Sequence, residues 1–288
     1  WIERLLCGHS VSIIDLLHMK HLYSFKHYVI LALAILVVVC GCGNGDSVEK
    51  LRMECPSVFV SDSTRLVRYD SYTLMYNLNK LNPQWVAWEL TAEETDGDIP
   101  RDGNATGAKS YRFQVDMNLP FLQADNNDYR NSGYDRGHMA PAADMKWSVQ
   151  SMNDCFYYVN CCPQNHNLNG GVWKSLEEKC RALAKNYGCV WICCGPIFYG
   201  QPKEYIGPHN VAVPDAFFKV MMVYADSAYH GIGFICENRP GKQPLENFVW
   251  TIAEVEEITG LNFFNALKSE ESLAVKSSVD LDLWFGRL

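Results

Sequence analysis

The sequence has no long apolar run, no Cys-x-x-Cys pair, no internal repeat and no excess of basic residues. Each absence removes a class. A comfortable membrane span needs roughly 20 apolar residues, and the longest apolar run, residues 28 to 39, is well short of that. Adjacent cysteines such as Cys161-Cys162 suit a structural zinc site poorly. With no repeat and no low-complexity stretch, nothing suggests an array of small units. A formal charge of −8 argues against a protein whose task is to hold nucleic acid tightly. It argues less against an enzyme, which needs only a local positive patch and must release its product.

What is present points to a folded protein. The apolar share is 48% and the charged share 20% over 288 residues. That length holds one large domain or two small ones. Of 12 cysteines, Cys7, Cys40 and Cys42 fall in the leader. The remaining nine are an odd number, so at least one stays free or pairs between chains.

The N-terminus reads as a secretory leader. Met19 and Lys20 open it, Lys26 adds charge, and the short apolar core ends at Val39-Cys40-Gly41-Cys42. A cysteine after a small residue resembles a lipobox, the signal of bacterial lipoproteins. Residues 1–18 then form an upstream extension, and Cys42 is the lipidated start of a mature chain held in the bacterial envelope. Residues 43–54 read as a tether and residues 55–288 as one α+β domain. Alternation places strands at 71–77 and 84–91, and apolar runs place others at 190–197, 217–224 and 231–236. Residues 172–187 have helical spacing, with Trp173, Leu176, Cys180, Leu183 and Ala184 on one face and Gly188 as the stop. Residues 251–259 read as a shorter helix, and 92–134 as loops.

Two clusters carry chemistry. Asp135-Arg136-Gly137-His138 sets an acid, a base, a flexible residue and an imidazole side by side. Imidazole is the side chain best suited to accept a proton near neutral pH. Alone the tetrapeptide is a weak signal. The second cluster, Asn169, Trp173, Glu177 and Arg181, is spaced by four, which stacks residues on one helix face. An amide oxygen there could ligate a hard cation, a carboxylate could hold its waters, and an arginine could meet phosphate. The bland alternative for Glu177 and Arg181 is a surface ion pair.

Together these residues resemble the DNA/RNA non-specific endonucleases of the ββα-metal class. One signature stands as Asp135-Arg136-Gly137-His138-Met139-Ala140-Pro141. The other stands as Asn160, Pro163-Gln164, Asn169, Trp173, Leu176-Glu177 and Arg181. The likeness runs from about Tyr72 to Phe264. It implies a central, mostly antiparallel sheet flanked by helices, and hydrolysis of phosphodiester bonds in DNA and RNA. It implies His138 as general base and Asn169 as the direct ligand of Mg2+, with Mn2+ or Ca2+ as alternatives. Glu177 and Asp135 act through the ion's waters, and Arg136 and Arg181 steady phosphate charge. One position departs from the pattern. The family arginine upstream of Phe113 and Asp116 is Lys109 here, so either Lys109 or the displaced Arg112 makes that contact.

His166, Asn165 and Asn167 read as loop residues, and Trp85, Trp88 and Trp191 as core. His209 and His230 read as non-catalytic, and Glu254, Glu256 and Glu257 as a solvated face. Two rival readings are a catalytically weak surface protein of the same fold, and a toxin-like nuclease with an immunity partner. The leader argues against the second.

Overall fold

The computed structural model describes residues 52–57, 60–101, 111–241 and 243–286. The leader, Cys42, most of the tether and Lys109 lie outside the described residues. Among the described residues no helix is long and apolar enough to cross a membrane.

Eleven strands are described: β1 Thr64–Arg68, β2 Thr73–Asn77, β3 Asn82–Thr91, β4 Asp135–His138, β5 Cys161–Gln164, β6 Cys189–Ile197, β7 Tyr205–Ile206, β8 Val211–Ala212, β9 Ala216–Ala225, β10 Ala228–Glu237 and β11 Val249–Trp250. Seven of them form one sheet in the order β1-β2-β3-β6-β9-β10-β11. Every neighbouring pair in it is antiparallel. The helices are α1 Asn126–Tyr129, α2 Val149–Asp154, α3 His166–Leu168, α4 Lys174–Tyr187, α5 Ile252–Thr259, α6 Ser269–Ser277 and α7 Leu281–Phe285. The expected α+β class with a central antiparallel sheet is what the chain adopts.

Both faces of the sheet are covered, which is why β3, β6 and β9 read as near-continuous apolar runs. Alternation sends Val86, Trp88 and Leu90 to the face under α4, and Trp85 and Ala87 to the face under α5 and α6. Trp85 and Trp88 are therefore core, as expected. Trp191 is only partly buried and donates to Glu89 Oε2 at 2.7 Å. Helix α4 buries Leu176, Cys180, Leu183 and Ala184 against the sheet. Each leucine contributes roughly 1.5–3 kcal/mol by leaving water. The helix stops at Gly188, whose φ of 83° suits glycine.

Two features differ from the sequence reading, and a third concerns the cysteines, for which it fixed no pairing. The run Asp135-Arg136-Gly137-His138 is a strand, β4, paired with β5 in a separate two-stranded ribbon. Gly137 is there for space rather than for unusual backbone angles. A Cβ on it would sit 2.3 Å from Gln164 Oε1 across the ribbon. The helix expected over 172–187 starts as a π-helical turn, Asn169–Trp173, with Gly171 at φ −114° and ψ −109°. Two consecutive glycines, Gly170 and Gly171, allow this turn. Asn169 therefore enters the site from a different phase than Glu177 and Arg181 on α4. Finally, the nine described cysteines are all unpaired, and most are buried in the core.

Candidate active site

One cavity of about 570 Å³ lies where the β4–β5 ribbon meets the start of α4. It gathers Asp135, Arg136, His138, Asn169, Glu177 and Arg181 from the sequence reading, and adds Arg101, Lys146 and Lys174. Arg112 is exposed and is not among the lining residues. Lys109 lies outside the described residues, and Arg101 is a described cation that lines the cavity.

His138 is held by stacking. Its ring centroid is 4.8 Å from that of Phe113 and 5.1 Å, edge-on, from that of Phe156. The Arg101 guanidinium sits 5.2 Å from the Phe156 centroid, and that of Arg136 5.7 Å from the Phe113 centroid. The imidazole thus lies between two rings that each carry an arginine. Burial, and then the charge of Arg101, pushes the His138 pKa down to about 3. The resting imidazole is therefore neutral, with one ring nitrogen carrying no proton. Its Nε2 is buried with no hydrogen-bond partner among the described residues, which leaves Nδ1 as the nitrogen for the pocket.

Asn169 is oriented by Asp135. Its Nδ2 donates to Asp135 Oδ2 at 2.8 Å, and its Oδ1 accepts no hydrogen bond from any described residue. His166 Nδ1 lies 3.1 Å from the same carboxylate oxygen. The rival amides are accounted for elsewhere. Asn165 Oδ1 accepts from the backbone N–H of Asn167 at 3.0 Å and of Leu168 at 3.4 Å, capping α3. Asn167 does not line the cavity. Asn238 fixes this loop from β10's end. It accepts from Asn165 N at 2.7 Å and donates to the carbonyls of Pro163 at 3.1 Å and Pro214 at 3.0 Å.

Glu177 faces the cavity and accepts no hydrogen bond from any described residue. Burial pushes its pKa up to about 7, against the pull of Lys219. Arg181 is not paired with it. Its Nη1 donates to Asp144 Oδ1 at 2.7 Å, and Trp88 Nε1 donates to Asp144 Oδ2 at 3.2 Å. Arg181 is thus anchored at Nη1 to a fully buried carboxylate and still lines the cavity. Arg136 is also held, donating to Asn126 Oδ1 at 2.6 Å and to the Tyr158 hydroxyl at 3.2 Å.

This donor set fits a hard divalent cation: an amide oxygen turned out by its neighbour, and a carboxylate with no partner of its own. A second grouping, Asp125, Asp128 and His209, also brings three ligand atoms within 4.8 Å of one another. Its atoms satisfy each other. Asp128 accepts from Asp125 N at 2.8 Å and pairs with His209 Nδ1 at 3.0 Å, and Asp125 caps α1. It lies outside the cavity lining.

Arg101 and Asp144 were missed because nothing local marks them. Arg101 reaches His138's neighbour Phe156 from 55 residues upstream in the chain. Asp144 matters only through Arg181 and Trp88. Lys219 did leave a signal: a lysine at an inward position between Phe217 and Met221 in an otherwise apolar strand.

A two-stranded ribbon bearing an imidazole, followed by a helix bearing the carboxylate, defines a ββα-metal centre. The family model for DNA/RNA non-specific endonucleases matches residues 55–270, and the chain belongs to that family. Among its relatives, mitochondrial nuclease EXOG of Danio rerio is 34% identical over 218 residues, covering 70% of this chain and 62% of the relative. Mitochondrial endonuclease G of Homo sapiens is 34% identical over 207 residues, 67% of each chain. Mitochondrial nuclease 1 of Schizosaccharomyces pombe is 36% identical over 212 residues, 67% of this chain and 64% of that one. The chain spans 62% and 64% of the length of the EXOG relatives from Danio rerio and Xenopus laevis. A crystal structure of the EndoG/EndoGI complex contains a chain that superposes with a TM-score of 0.65 at 31% identity. The match covers 72% of this chain and 88% of that one.

Proposed function

We propose that this chain is a divalent-metal-dependent endonuclease that hydrolyses phosphodiester bonds in DNA and RNA with little sequence preference. The observation that carries it is the convergence of a neutral His138, an outward Asn169 amide oxygen and an unpartnered Glu177 on one cation-lined cavity.

His138 takes the proton of the attacking water at Nδ1, its open nitrogen. Asn169 Oδ1 would hold Mg2+ directly and Glu177 would hold it through water. Bound there, the ion would supply Lewis-acid stabilisation of the phosphate and of the leaving oxygen. Asp135 keeps the Asn169 amide in the ligating orientation. Arg101, Lys146 and Lys174 give the cavity its positive face toward phosphate. Contacts of this kind read the backbone and not base edges, so cleavage tolerates sequence.

The test is supercoiled plasmid and ribosomal RNA with purified protein, in Mg2+ and in EDTA. Both substrates are degraded in Mg2+ and spared in EDTA. Intact substrates under both conditions would refute the nuclease reading, and equal cleavage in EDTA the metal dependence. The leader's residues support action from a lipid anchor at Cys42. In cells the activity then sediments with membranes and becomes soluble in Cys42→Ser, and an unchanged distribution would refute the anchor.

Arg101 gives a separate prediction. A charged hydrogen bond to phosphate contributes about 1.5–3 kcal/mol. Arg101→Ala therefore lowers kcat/KM by roughly tenfold or more, while Arg112→Ala leaves it near wild type. Equal losses for the two would remove the distinction.

A further inference from the structure

Two further hollows, of about 530 Å³ and about 430 Å³, continue from the active cavity in series. Gly170 lines both the active cavity and the first hollow. Pro240 and Gly241 line both the first hollow and the second. The link crosses the π-helical turn that begins at Asn169, and Leu168 and Val172 from the same stretch line the second hollow. The crossing is bare. A Cβ on Gly170, Gly171 or Gly241 would meet nothing within 4 Å. Backbone without side chains lets another chain lie close to it.

The chemistry changes along this groove. The active cavity presents arginines and lysines, which suit phosphate. In the second hollow the charged groups among the described lining residues are Arg239 and Glu237, and these pair with each other. Its character is aromatic instead. Tyr199 is 51% exposed and Trp250 37% exposed, with Phe248 half-buried beside them. Aromatic side chains gathered in a hollow and left open to water mark a binding surface. Both exposed rings stand on fixed backbone. Tyr199 N donates to Asp215 Oδ2 at 2.8 Å, and Trp250 is in register with Gly233 across β11 and β10. Gln243 and Asn247 add carboxamides, which can donate to or accept from the edge of any base. Neutral rings beside amides suit the flat faces of bases. Those faces are open in a single strand and covered in a duplex.

We propose that the groove from Gly170 to Trp250 holds the unpaired bases of single-stranded DNA or RNA flanking the bond that is cut, with Tyr199 and Trp250 as stacking platforms. The proposal rests on the nuclease reading above and deepens it, because it makes single strands the preferred substrate class. Every base has a π-face, so such a groove tolerates any sequence.

The experiment measures binding of a fluorescein-labelled single strand of about 16 nucleotides, the upper site size of a stacking groove, and of a blunt duplex of the same length. Purified protein is used in EDTA, by anisotropy, over a range of salt. Wild type binds the single strand more tightly than the duplex. Tyr199→Ala and Trp250→Ala each weaken single-strand binding by about 5–150-fold, the loss of one base–aromatic stack, and leave duplex binding near wild type. The dependence of affinity on salt is unchanged, because no phosphate contact is lost. Trp250→Phe, which keeps a ring, recovers most of the affinity. Tyr224→Ala, at a similarly exposed tyrosine outside the groove (49%), stays at wild type. Unchanged single-strand affinity in both alanine variants, or equal losses for strand and duplex, would overturn the proposal. So would a wild type that prefers the duplex. A wild type that binds the strand but cuts nothing in Mg2+ would instead refute the nuclease reading, and the binding arm would still decide the groove.

Discussion

His138→Ala is expected to slow plasmid cleavage by roughly 10²–10⁴-fold, the usual contribution of a positioned general base. The loss falls on kcat, because the imidazole acts on the attacking water and not on substrate affinity. The fold should survive. His138 is partly exposed, its Nε2 makes no hydrogen bond to any described residue, and Phe113 and Phe156 pack against its ring. A pH dependence separates chemistry from stability. The His138 pKa in the fold, about 3, lies below its unfolded value of about 6.5. Its neutral form therefore contributes stability that is fully present above pH 6.5 and is lost as pH falls toward 3. The alanine variant lacks this term, so its urea midpoint declines less than wild type between pH 7 and pH 4.5. A variant that cleaves plasmid at the wild-type rate would remove His138 from the mechanism.

Asn169→Ala is expected to raise the Mg2+ concentration for half-maximal activity by about 10–100-fold or more. Losing the Oδ1 donor leaves the ion to Glu177's indirect grip. Asn169→Asp is no milder. Asp135 Oδ2 lies 2.8 Å from Asn169 Nδ2, so a carboxylate at position 169 would face a carboxylate. Like charges that close force one to take up a proton. Both variants are checked by a Mg2+ titration of initial rates, and an unshifted midpoint in Asn169→Ala would remove Asn169 as the ligand.

The regular part of the fold was legible because burial imposes a period. β2 and β3 fall where alternation puts them, β6, β9 and β10 where apolar runs put them, and α4 where helical spacing puts it. The β4–β5 ribbon was not legible. Neither Asp135-Arg136-Gly137-His138 nor Cys161-Cys162-Pro163-Gln164 has the branched or aromatic residues that mark a strand, and its pairing depends on Gly137 making room for Gln164. The π-helical turn was hidden for a similar reason. Spacing by four from Asn169 to Arg181 looked like one helix, but Gly170 and Gly171 break the phase.

The site divides along the same line. His138, Asn169 and Glu177 could be found because short motifs carry them, and the chain folds them into one cavity. Arg101 and Asp144 act through contacts between distant segments, which no local pattern encodes. Asp144 also sets how Arg181 sits: one amino group is tied at 2.7 Å to this buried carboxylate, and the side chain still lines the cavity.

The most direct measurement is the position of the ion in crystals soaked with Mn2+, located by anomalous scattering. The account predicts one strong peak within bonding distance of Asn169 Oδ1, about 2.1 Å for a magnesium-like ion, with Glu177 reached through water. A peak held by Asp125, Asp128 and His209, with none at Asn169, would contradict it.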